Sequence, residues 1–492
     1  MAAFNNTIIT TGPNRLSPVN DLWGNYFILQ NNSSTASNFK YLTKLYAYDP
    51  STPGTTFSFI VTNPVPPRPV TGFGEYSGYQ SLLSLVDYDL QPSLGTPSLA
   101  NDSLTKYYIN YGFQLNPGLS FSQVLIVPIG ATSYFGFTFS ELTSLQPNDL
   151  ITIQSQNPFF GNKTASVTSN ISPFSFYTNL IANTASNITT GIVSDLKRWN
   201  GTSSSFYGYN GNRQYGFQNT NYYNKLIMGA TFGVTSSQPF LTEYPLNEQK
   251  YILPGQYETL SMFINKIGFG SPTPECYINY KFYNSSGSNI HNQTNIVDLW
   301  NGSIYDDVQR WDIPVGTNYI PTFVSDSSYY TVNIQMSTGT GLVNQSETRT
   351  FLIDRSCSLY NNVRVMWLNS YGAFDFFNFR LDDKKTYNIS TNEYKKVLPI
   401  NYVIGDRQRT TLSSTVRETH VINTNWVTEN IYAYLQGFLT SNEQYIIDEN
   451  TGNPYPIIIT DKSFDFKTAY RDKIFNLTVT YDTSYDIERQ KQ

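Results

Sequence analysis

Short runs in which apolar and polar residues alternate dominate the chain and predict a protein built mainly of β-strands. Successive side chains of a strand point to opposite faces, so period-two alternation is typical of a strand with one buried face. In the last such run, Phe475, Leu477 and Val479 fall on one face. The clearest runs, bounded by turn-forming residues, are Asn25–Gln30, Phe39–Asp49, Thr56–Thr62, Lys106–Leu115, Ser120–Ile129, Asn148–Ser155, Cys276–Asn284, Tyr329–Ser337, Thr348–Ser356, Val363–Asn369, Tyr455–Asp461 and Lys473–Asp482.

Two segments have instead the 3.6-residue periodicity of a short amphipathic helix. The second of them has Thr428 as a candidate N-cap and Glu429 in its first turn, where an acidic side chain favours the helix dipole. The apolar stripes consist of Tyr79, Leu82, Leu83, Val86 and Leu90 in the first helix, and of Ile431, Tyr434, Leu435, Phe438 and Leu439 in the second.

The length of 492 residues exceeds what one hydrophobic core supports and predicts several domains. We expect an N-terminal β-module with one helix (1–130), an irregular, loop-rich β insertion module (131–251), a β-sandwich module (252–392) and a C-terminal α+β module (393–492). The fold class is thus mainly β and multidomain, with sandwiches of immunoglobulin or fibronectin type. The doubled Phe376-Phe377 shifts the alternation of its strand and indicates a β-bulge.

The composition favours neutral contact surfaces over charged ones. Charged residues make up 14% of the chain, against about 25% in ordinary soluble domains, while Tyr and Phe number 39 and 32. A surface of amides, hydroxyls and aromatic rings loses water readily and suits contact with proteins or sugars, although an AT-rich genome would give the same bias. The net charge of −5, with no basic run, excludes a phosphate-neutralising nucleic-acid interface.

No pattern of catalytic or metal-binding residues stands in the sequence, and we expect no enzyme, no metal and no cofactor. The two histidines, His291 and His420, lie in no metal-ligand spacing. The doublets 306–307 and 382–383 are adjacent aspartates, and neighbours in a strand point to opposite faces, which makes a poor acid/base pair. Cys276 and Cys357 are expected to be free buried thiols. We expect no signal peptide and no membrane span.

The segment 199–224 is rich in Gly, Asn, Ser and Tyr and has little periodicity, which is typical of a functional loop or an irregular insertion. Tyr and Trp are favoured in protein interfaces, and their rings also stack on sugars. Contacts with another subunit and contacts with a glycan therefore both stay open. The candidate residues are Trp199, Tyr207, Tyr209, Tyr215, Tyr222 and Tyr223.

Four stretches carry a resemblance to a known family: Arg364–Lys396, Trp426–Gln490, Pro67–Gln91 and, more weakly, Tyr209–Phe217. They resemble structural proteins from the virions of tailed bacteriophages of Bacteroidota and of marine phages, including crAss-like phages. The resemblance implies a virion tail protein that is assembled in the host bacterial cytoplasm as a symmetric multimer, and it implies no catalytic residues.

The sequence therefore predicts a structural component of a bacteriophage virion, a tail ring, collar or baseplate subunit that acts by symmetric protein–protein assembly. Its expected partners are further copies of itself and other tail proteins, without specific nucleic acid or a membrane span. The alternative is a receptor-binding or glycan-binding tail protein that uses Tyr/Asn-rich loops on a host-surface glycan.

Overall fold

The computed structural model confirms a mainly β, multidomain chain, with 57% of it in strands and 5% helical. None of the helices in the described part of the chain is long and apolar enough to cross a membrane. The structure describes residues 7–11, 15–19, 25–36, 38–48, 58–77, 82–83, 85–86, 97–100, 103–129, 132–139, 145–155, 162–172, 175–178, 190–211, 223–228, 236–265, 275–297, 308–320, 325–337, 341–356, 361–381, 383–448, 451–461 and 474–489.

Each predicted run overlaps a strand of the structure, and further strands lie between the runs. One α-helix, α1 (Glu429–Thr440), and a 3-10 helix (Tyr223–Leu226) accompany them within the described ranges. The strands are β1 (Ile8–Thr11), β2 (Leu16–Pro18), β3 (Tyr26–Gln30), β4 (Lys40–Ala47), β5 (Ser58–Val65), β6 (Gly74–Ser77), β7 (Ser98–Leu99), β8 (Leu104–Leu115), β9 (Leu119–Ile129), β10 (Thr132–Phe139), β11 (Leu150–Ser155), β12 (Asn162–Ser172), β13 (Ser175–Thr178), β14 (Gly191–Thr202), β15 (Phe206–Tyr209), β16 (Ile227–Met228), β17 (Lys250–Ile252), β18 (Thr259–Asn265), β19 (Cys276–Tyr283), β20 (Asn289–Val297), β21 (Val308–Pro314), β22 (Tyr329–Ser337), β23 (Leu342–Asn344), β24 (Arg349–Ile353), β25 (Val363–Leu368), β26 (Phe374–Phe379), β27 (Asp383–Lys395), β28 (Arg409–Asn423), β29 (Val427–Thr428), β30 (Gln444–Ile447), β31 (Pro454–Ile459), β32 (Ile474–Phe475), β33 (Thr478–Thr483) and β34 (Ile487–Arg489).

The chain divides into two compact units rather than the four predicted modules. The first comprises Met1–Asp87, Leu104–Asn210 and Tyr215–Asn224, and the second comprises Tyr88–Ser103, Gly211–Gln214 and Lys225–Gln492. The predicted boundaries cut through strand pairing: the one after residue 130 separates β9 from its partner β10. The other two fall inside β17 and β27. Strand pairing between distant segments leaves no mark in local periodicity, and the division into four modules stays a prediction beside these two units.

The first unit contains a three-stranded sheet and an eleven-stranded sheet. In the larger sheet β8 and β9 follow one another along the same edge of β14, interrupted at Asn116–Gly118, where Gly118 has φ +60°. The pairings of β9, β10, β13, β12, β11 and β14 close into a cycle. The core beside these strands consists of Leu29, Phe39, Tyr41, Phe113, Leu115, Leu145, Ile151, Ile153, Ala165, Val167, Val193 and Leu196.

The second unit begins with two sheets that share one apolar core. The four-stranded sheet has the order β16-β18-β21-β7, and the six-stranded sheet has the order β17-β24-β22-β19-β20, with β23 beside β22. Cys276 is a free thiol in this core, as expected, and burial raises its pKa to about 12; Cys357 lies outside the described residues. Other core members include Met228, Phe240, Ile252, Met262, Ile278, Tyr280, Trp311, Ile313, Tyr330, Val332, Ile334 and Phe351.

The remainder of the second unit is an eight-stranded sheet in the order β26-β25-β30-β31-β33-β28-β27, with β34 beside β28. Helix α1 covers one face of it, with Trp367 of β25 4.9 Å from the Tyr434 ring and 5.4 Å from the Phe438 ring. The Thr428 hydroxyl accepts the Ile431 N–H at 3.4 Å, which confirms the predicted cap. The predicted helix over Tyr79–Leu90 lies largely outside the described residues.

The predicted β-bulge at Phe376-Phe377 is wrong. β25 and β26 pair in unbroken register from Val363↔Phe379 to Leu368↔Phe374. Phe377 and Phe379 pack with the α1 side of the sheet, whereas Phe374 and Phe376 belong to a second apolar cluster that includes Tyr445 and Ile447. The strand is apolar on both sides because both faces are buried, and its alternation breaks without any bulge.

A buried carboxylate joins the eight-stranded sheet to the four- and six-stranded sheets, which we call the sandwich. Glu258, between β17 and β18, receives Lys250 Nζ on Oε1 at 2.7 Å and Arg364 Nη2 on Oε2 at 2.6 Å. Glu258 and Arg364 are each 1% exposed at the side chain. Arg364 also donates from Nη1 to Asn378 Oδ1 of β26 at 3.0 Å. Two cations and one anion are therefore held out of water by mutual hydrogen bonding.

We predict that Glu258→Gln lowers the unfolding free energy by roughly 3–5 kcal/mol, because removing one partner leaves buried charge without compensation. Urea denaturation of the purified chain measures this. The matched control is Asp486→Asn, which breaks the exposed pair with Arg417 (Nε–Oδ1 3.0 Å) and should leave the unfolding free energy nearly unchanged. Equal effects of the two substitutions would contradict the prediction.

Candidate interaction site

A long hairpin extends from the eight-stranded sheet. β27 and β28 pair from Asp383↔Ile422 to Lys395↔Arg409. Every residue of β27 after Asp383 is exposed, so neither face of this strand is covered. We name residues 384–418 the arm. With 13 residues in β27, it is about 40 Å long at ~3.3 Å per residue.

The far end of the arm carries large apolar side chains in full contact with solvent. We name residues 397–407 the arm tip. Val397, Ile400 and Ile404 are 97%, 100% and 106% exposed, and Tyr402 and Val403 are 62% and 64% exposed. Single exposed apolar residues are ordinary, but a cluster of five in one short turn marks an interaction site.

Hydrogen bonds give the arm tip a defined turn. Lys396 N–H donates to Gln408 O at 2.7 Å, which continues the β27–β28 ladder by one step. The Asp406 N–H donates to Val403 O at 2.8 Å, and the Val403 N–H donates back to Asp406 Oδ2 at 2.9 Å. The apolar side chains are therefore displayed on a closed loop.

The arm differs in charge from the rest of the chain. Residues 384–418 contain seven basic and three acidic residues, a net charge of +4, whereas the whole chain is at −5, which leaves −9 for the remainder. Near the tip, Lys396 Nζ lies 5.4 Å from the ring centroid of Tyr394. An arm of this sign is attracted to an acidic partner, including the remainder of another copy of this chain.

Polar contacts fix the root of the arm to the sheet. His420 Nδ1 lies 2.9 Å from Asp383 Oδ1, and the His420 ring stacks on Tyr481 at 5.0 Å with an interplanar angle of 3°. Lys385 Nζ pairs with Glu418 Oε2 at 2.6 Å. No group of three or more His, Cys, Asp or Glu side chains that could hold a metal occurs among the described residues. We conclude that these contacts orient the arm.

A pocket of about 400 Å³ opens beside this root, between the end of β28, the start of α1 and the segment that leads into β17. We name it the root pocket. Trp426 and Tyr251 are 71% and 56% exposed, and they offer aromatic surface for a ligand to cover. The lining residues are Tyr244, Glu248, Gln249, Lys250, Tyr251, Phe377, Asn378, Arg380, Asn425, Trp426, Val427, Thr428 and Ile431.

The structure scatters the aromatic residues that the sequence singled out. Tyr207 and Tyr209 of β15 are 1% and 0% exposed, so they pack in the first unit and do not present a contact surface. Trp199 of β14 is half-buried, with Lys44 Nζ 4.5 Å from its ring centroid. Tyr223 begins the 3-10 helix. Tyr215 and Tyr222 lie outside the described residues, as do Asp306, Asp307 and Asp382 of the aspartate doublets.

A carboxylate pair that the sequence does not reveal lies in the second unit. Glu243 and Asp375 are 132 positions apart, and the Glu243 N–H donates to Asp375 Oδ2 at 3.0 Å. Asn369 Nδ2 also donates to Asp375 Oδ2, at 2.9 Å. Burial raises the pKa of both carboxyls, and the neighbouring Asp375 raises that of Glu243 further. Asp375 is 1% exposed and held by backbone and amide donors, and we interpret the pair as structural.

We predict that Glu243→Gln raises the melting temperature at about pH 8 and not at about pH 4. The folded chain holds a proton on Glu243 more tightly than the unfolded chain, so the unfolding free energy falls as pH rises above the usual pKa of 4.5. Glutamine does not ionise, so the variant does not lose unfolding free energy in this way as pH rises. Thermal unfolding followed by circular dichroism tests it, with exposed Glu393→Gln as control; a gain that is independent of pH would contradict the prediction.

No protein-family model and no curated protein matches the chain. Among solved structures it is similar to dimeric latent PorU from Porphyromonas gingivalis, at 9% identity over 70% of this chain with a TM-score of 0.14. The chain spans 33% of PorU. It is similarly distant from an endosialidase of phage phi92, with 10% identity over 98% of this chain and 69% of that one and a TM-score of 0.13. It is also similar to the alpha-2-macroglobulin of E. coli, with 9% identity over 98% of this chain and 40% of that one and a TM-score of 0.13. Likeness at this level carries no argument about function.

Proposed function

We propose that the chain is a structural subunit of a bacteriophage virion, a component of a tail ring, collar or baseplate, and that its arm makes the contacts of assembly. The observation that carries the proposal is the arm itself, whose apolar tip is fully exposed in the isolated chain. Covering one Val or Ile side chain contributes roughly 1.5–3 kcal/mol. Five large apolar residues in the tip are enough to drive a specific contact once a partner covers them.

The arm is expected to be only marginally stable by itself. Beyond Ser414–Val416, which pair with β34, the hairpin is two-stranded with both faces open, and an isolated two-stranded hairpin is marginally stable in water. A strand or surface of a neighbouring subunit would complete it. A long exposed ribbon of this kind is typical of an element that becomes ordered when subunits assemble.

The stretches that resemble phage tail proteins include the arm and the sheet at its root. The resembling stretch Arg364–Lys396 comprises β25, β26 and all of β27, which are the sheet at the root and one full strand of the arm. The stretch Trp426–Gln490 supplies α1 and the strands that hold β28. The proposal places assembly in the host bacterial cytoplasm and the mature protein in the virion tail.

The glycan-binding alternative has a weaker basis in the structure. It relied on a cluster of tyrosines, and two of these, Tyr207 and Tyr209, are buried. Trp199 keeps part of its ring exposed, but Lys44 already lies over it. A receptor-binding role would therefore need a surface other than the one predicted.

We predict that the double substitution Ile400→Asp/Ile404→Asp converts the assembled protein into monomers. Two carboxylates on the arm tip would have to be buried without counter-charges at the contact, which costs far more than the apolar contact contributes. Sedimentation velocity over a range of concentrations measures the change, with at least a tenfold weaker association expected.

The control is Ile296→Asp on β20, where the isoleucine is 62% exposed but lies far along the chain from the arm. This variant should assemble as the original chain does. Unchanged assembly of the arm-tip variant, or an original chain that stays monomeric and is absent from purified particles, would refute the proposed function.

A further inference from the structure

We infer that the arm tip of one copy seats in the root pocket of a second copy, so that subunits join head to tail. The inference rests on the proposed function and names the partner surface that the arm needs. It accounts together for two features that are otherwise unrelated: a turn with exposed apolar side chains and a pocket with exposed aromatic residues at its edge.

Size and surface character match. A pocket of about 400 Å³ lies in the range of sites that bury small ligands and has room for one or two branched aliphatic side chains. Tyr251 and Trp426 offer flat apolar faces at its edge. Ile400 and Ile404 project from the arm tip with their whole side chains exposed. The binding energy of a protein contact is concentrated in a few side chains in well-packed, desolvated pockets, and aromatic residues such as Trp426 are enriched among them.

The charges also match. Of the ionisable side chains that line the root pocket, Lys250 is paired with Glu258 and Arg380 with Asp354. Glu248 instead accepts hydrogen bonds from two neutral donors, the Thr428 hydroxyl at 2.9 Å and Asn430 Nδ2 at 3.3 Å. Neither donor carries a positive charge that would balance the carboxylate.

The arm tip brings the opposite sign to this carboxylate. Exposed Lys395 and Lys396 precede the tip, and Arg407 and Arg409 lie at its other end, against the acidic Glu393 and Asp406. A basic side chain beside the seated isoleucines would meet Glu248 of the second copy. Such a pair fixes the register of a contact more than it adds affinity.

The placement of the two surfaces makes the contact intermolecular. The root pocket adjoins the end of β28, whereas the tip lies about 40 Å away at the other end of the β27–β28 ladder. An arm therefore does not fill its own root pocket. Each chain offers one tip and one pocket, and a heterologous contact of this type closes into a ring or continues as a filament.

The experiment joins single-cysteine variants with a short bismaleimide, with Cys357→Ser in every protein and Cys276 buried and unreactive. Asn401→Cys, next to Ile400, mixed with Asn425→Cys, next to Trp426, leaves both contact side chains in place and should give a covalent dimer in high yield, and neither variant alone should do so. Ile296→Cys mixed with Asn425→Cys is the control and should stay uncrosslinked. Efficient self-linking of Asn401→Cys would show a tip-to-tip contact and overturn the inference.

A second readout separates this inference from the proposed function. Trp426→Ala, at an exposed position that the fold tolerates, should weaken association at least tenfold, and its mixture with Ile400→Asp/Ile404→Asp should stop at dimers. If Trp426→Ala assembles as the original chain does, and assembly is lost only in the arm-tip variant, the inference that the arm tip binds the root pocket is wrong. The proposed function is then unaffected. Glycan binding by the original chain that Trp426→Ala abolishes, with assembly unchanged, also overturns the inference.

Discussion

The carboxylate of Glu258, shared between Lys250 and Arg364 in the interior of the second unit, is the interaction that holds the sheet carrying the arm against the two sheets beside it. A buried charge needs its partners at hydrogen-bond distance, because solvent cannot replace them. Lys250 belongs to the sandwich and Arg364 to the eight-stranded sheet. The arm therefore projects from a base that cannot shift against the sandwich without breaking this network.

The same sheet is most buried at one edge and most exposed at the other. β25 and β26 have apolar clusters on both faces, so the base has a core on either side. β27 at the opposite edge has neither face covered. This contrast between a doubly packed base and an open ribbon supports the proposal that the arm is an assembly element and that a partner covers its open faces.

The sequence predicted what depends on local periodicity. Each predicted run overlaps a strand, and α1 follows the capping residue Thr428, because one-sided burial imposes a regular pattern; strands such as β14 and β21 were not predicted. The arm was missed for the opposite reason: residues 384–395 are exposed on both faces and have no alternation. The pairs Glu243–Asp375 and Glu258–Arg364 join residues more than a hundred positions apart, and only tertiary structure brings them together. The buried Tyr207 and Tyr209 look like loop residues in a Gly- and Asn-rich context.

Amide hydrogen exchange on the unassembled and the assembled protein tests the central claim most directly. The account predicts fast exchange throughout residues 392–413 in the unassembled chain, because these backbone amides are on an open two-stranded ribbon, and strong protection of the same residues after assembly. The buried network around Glu258 should be protected in both states. Assembly that leaves the exchange of the arm unchanged, while amides of the first unit become protected, would contradict it.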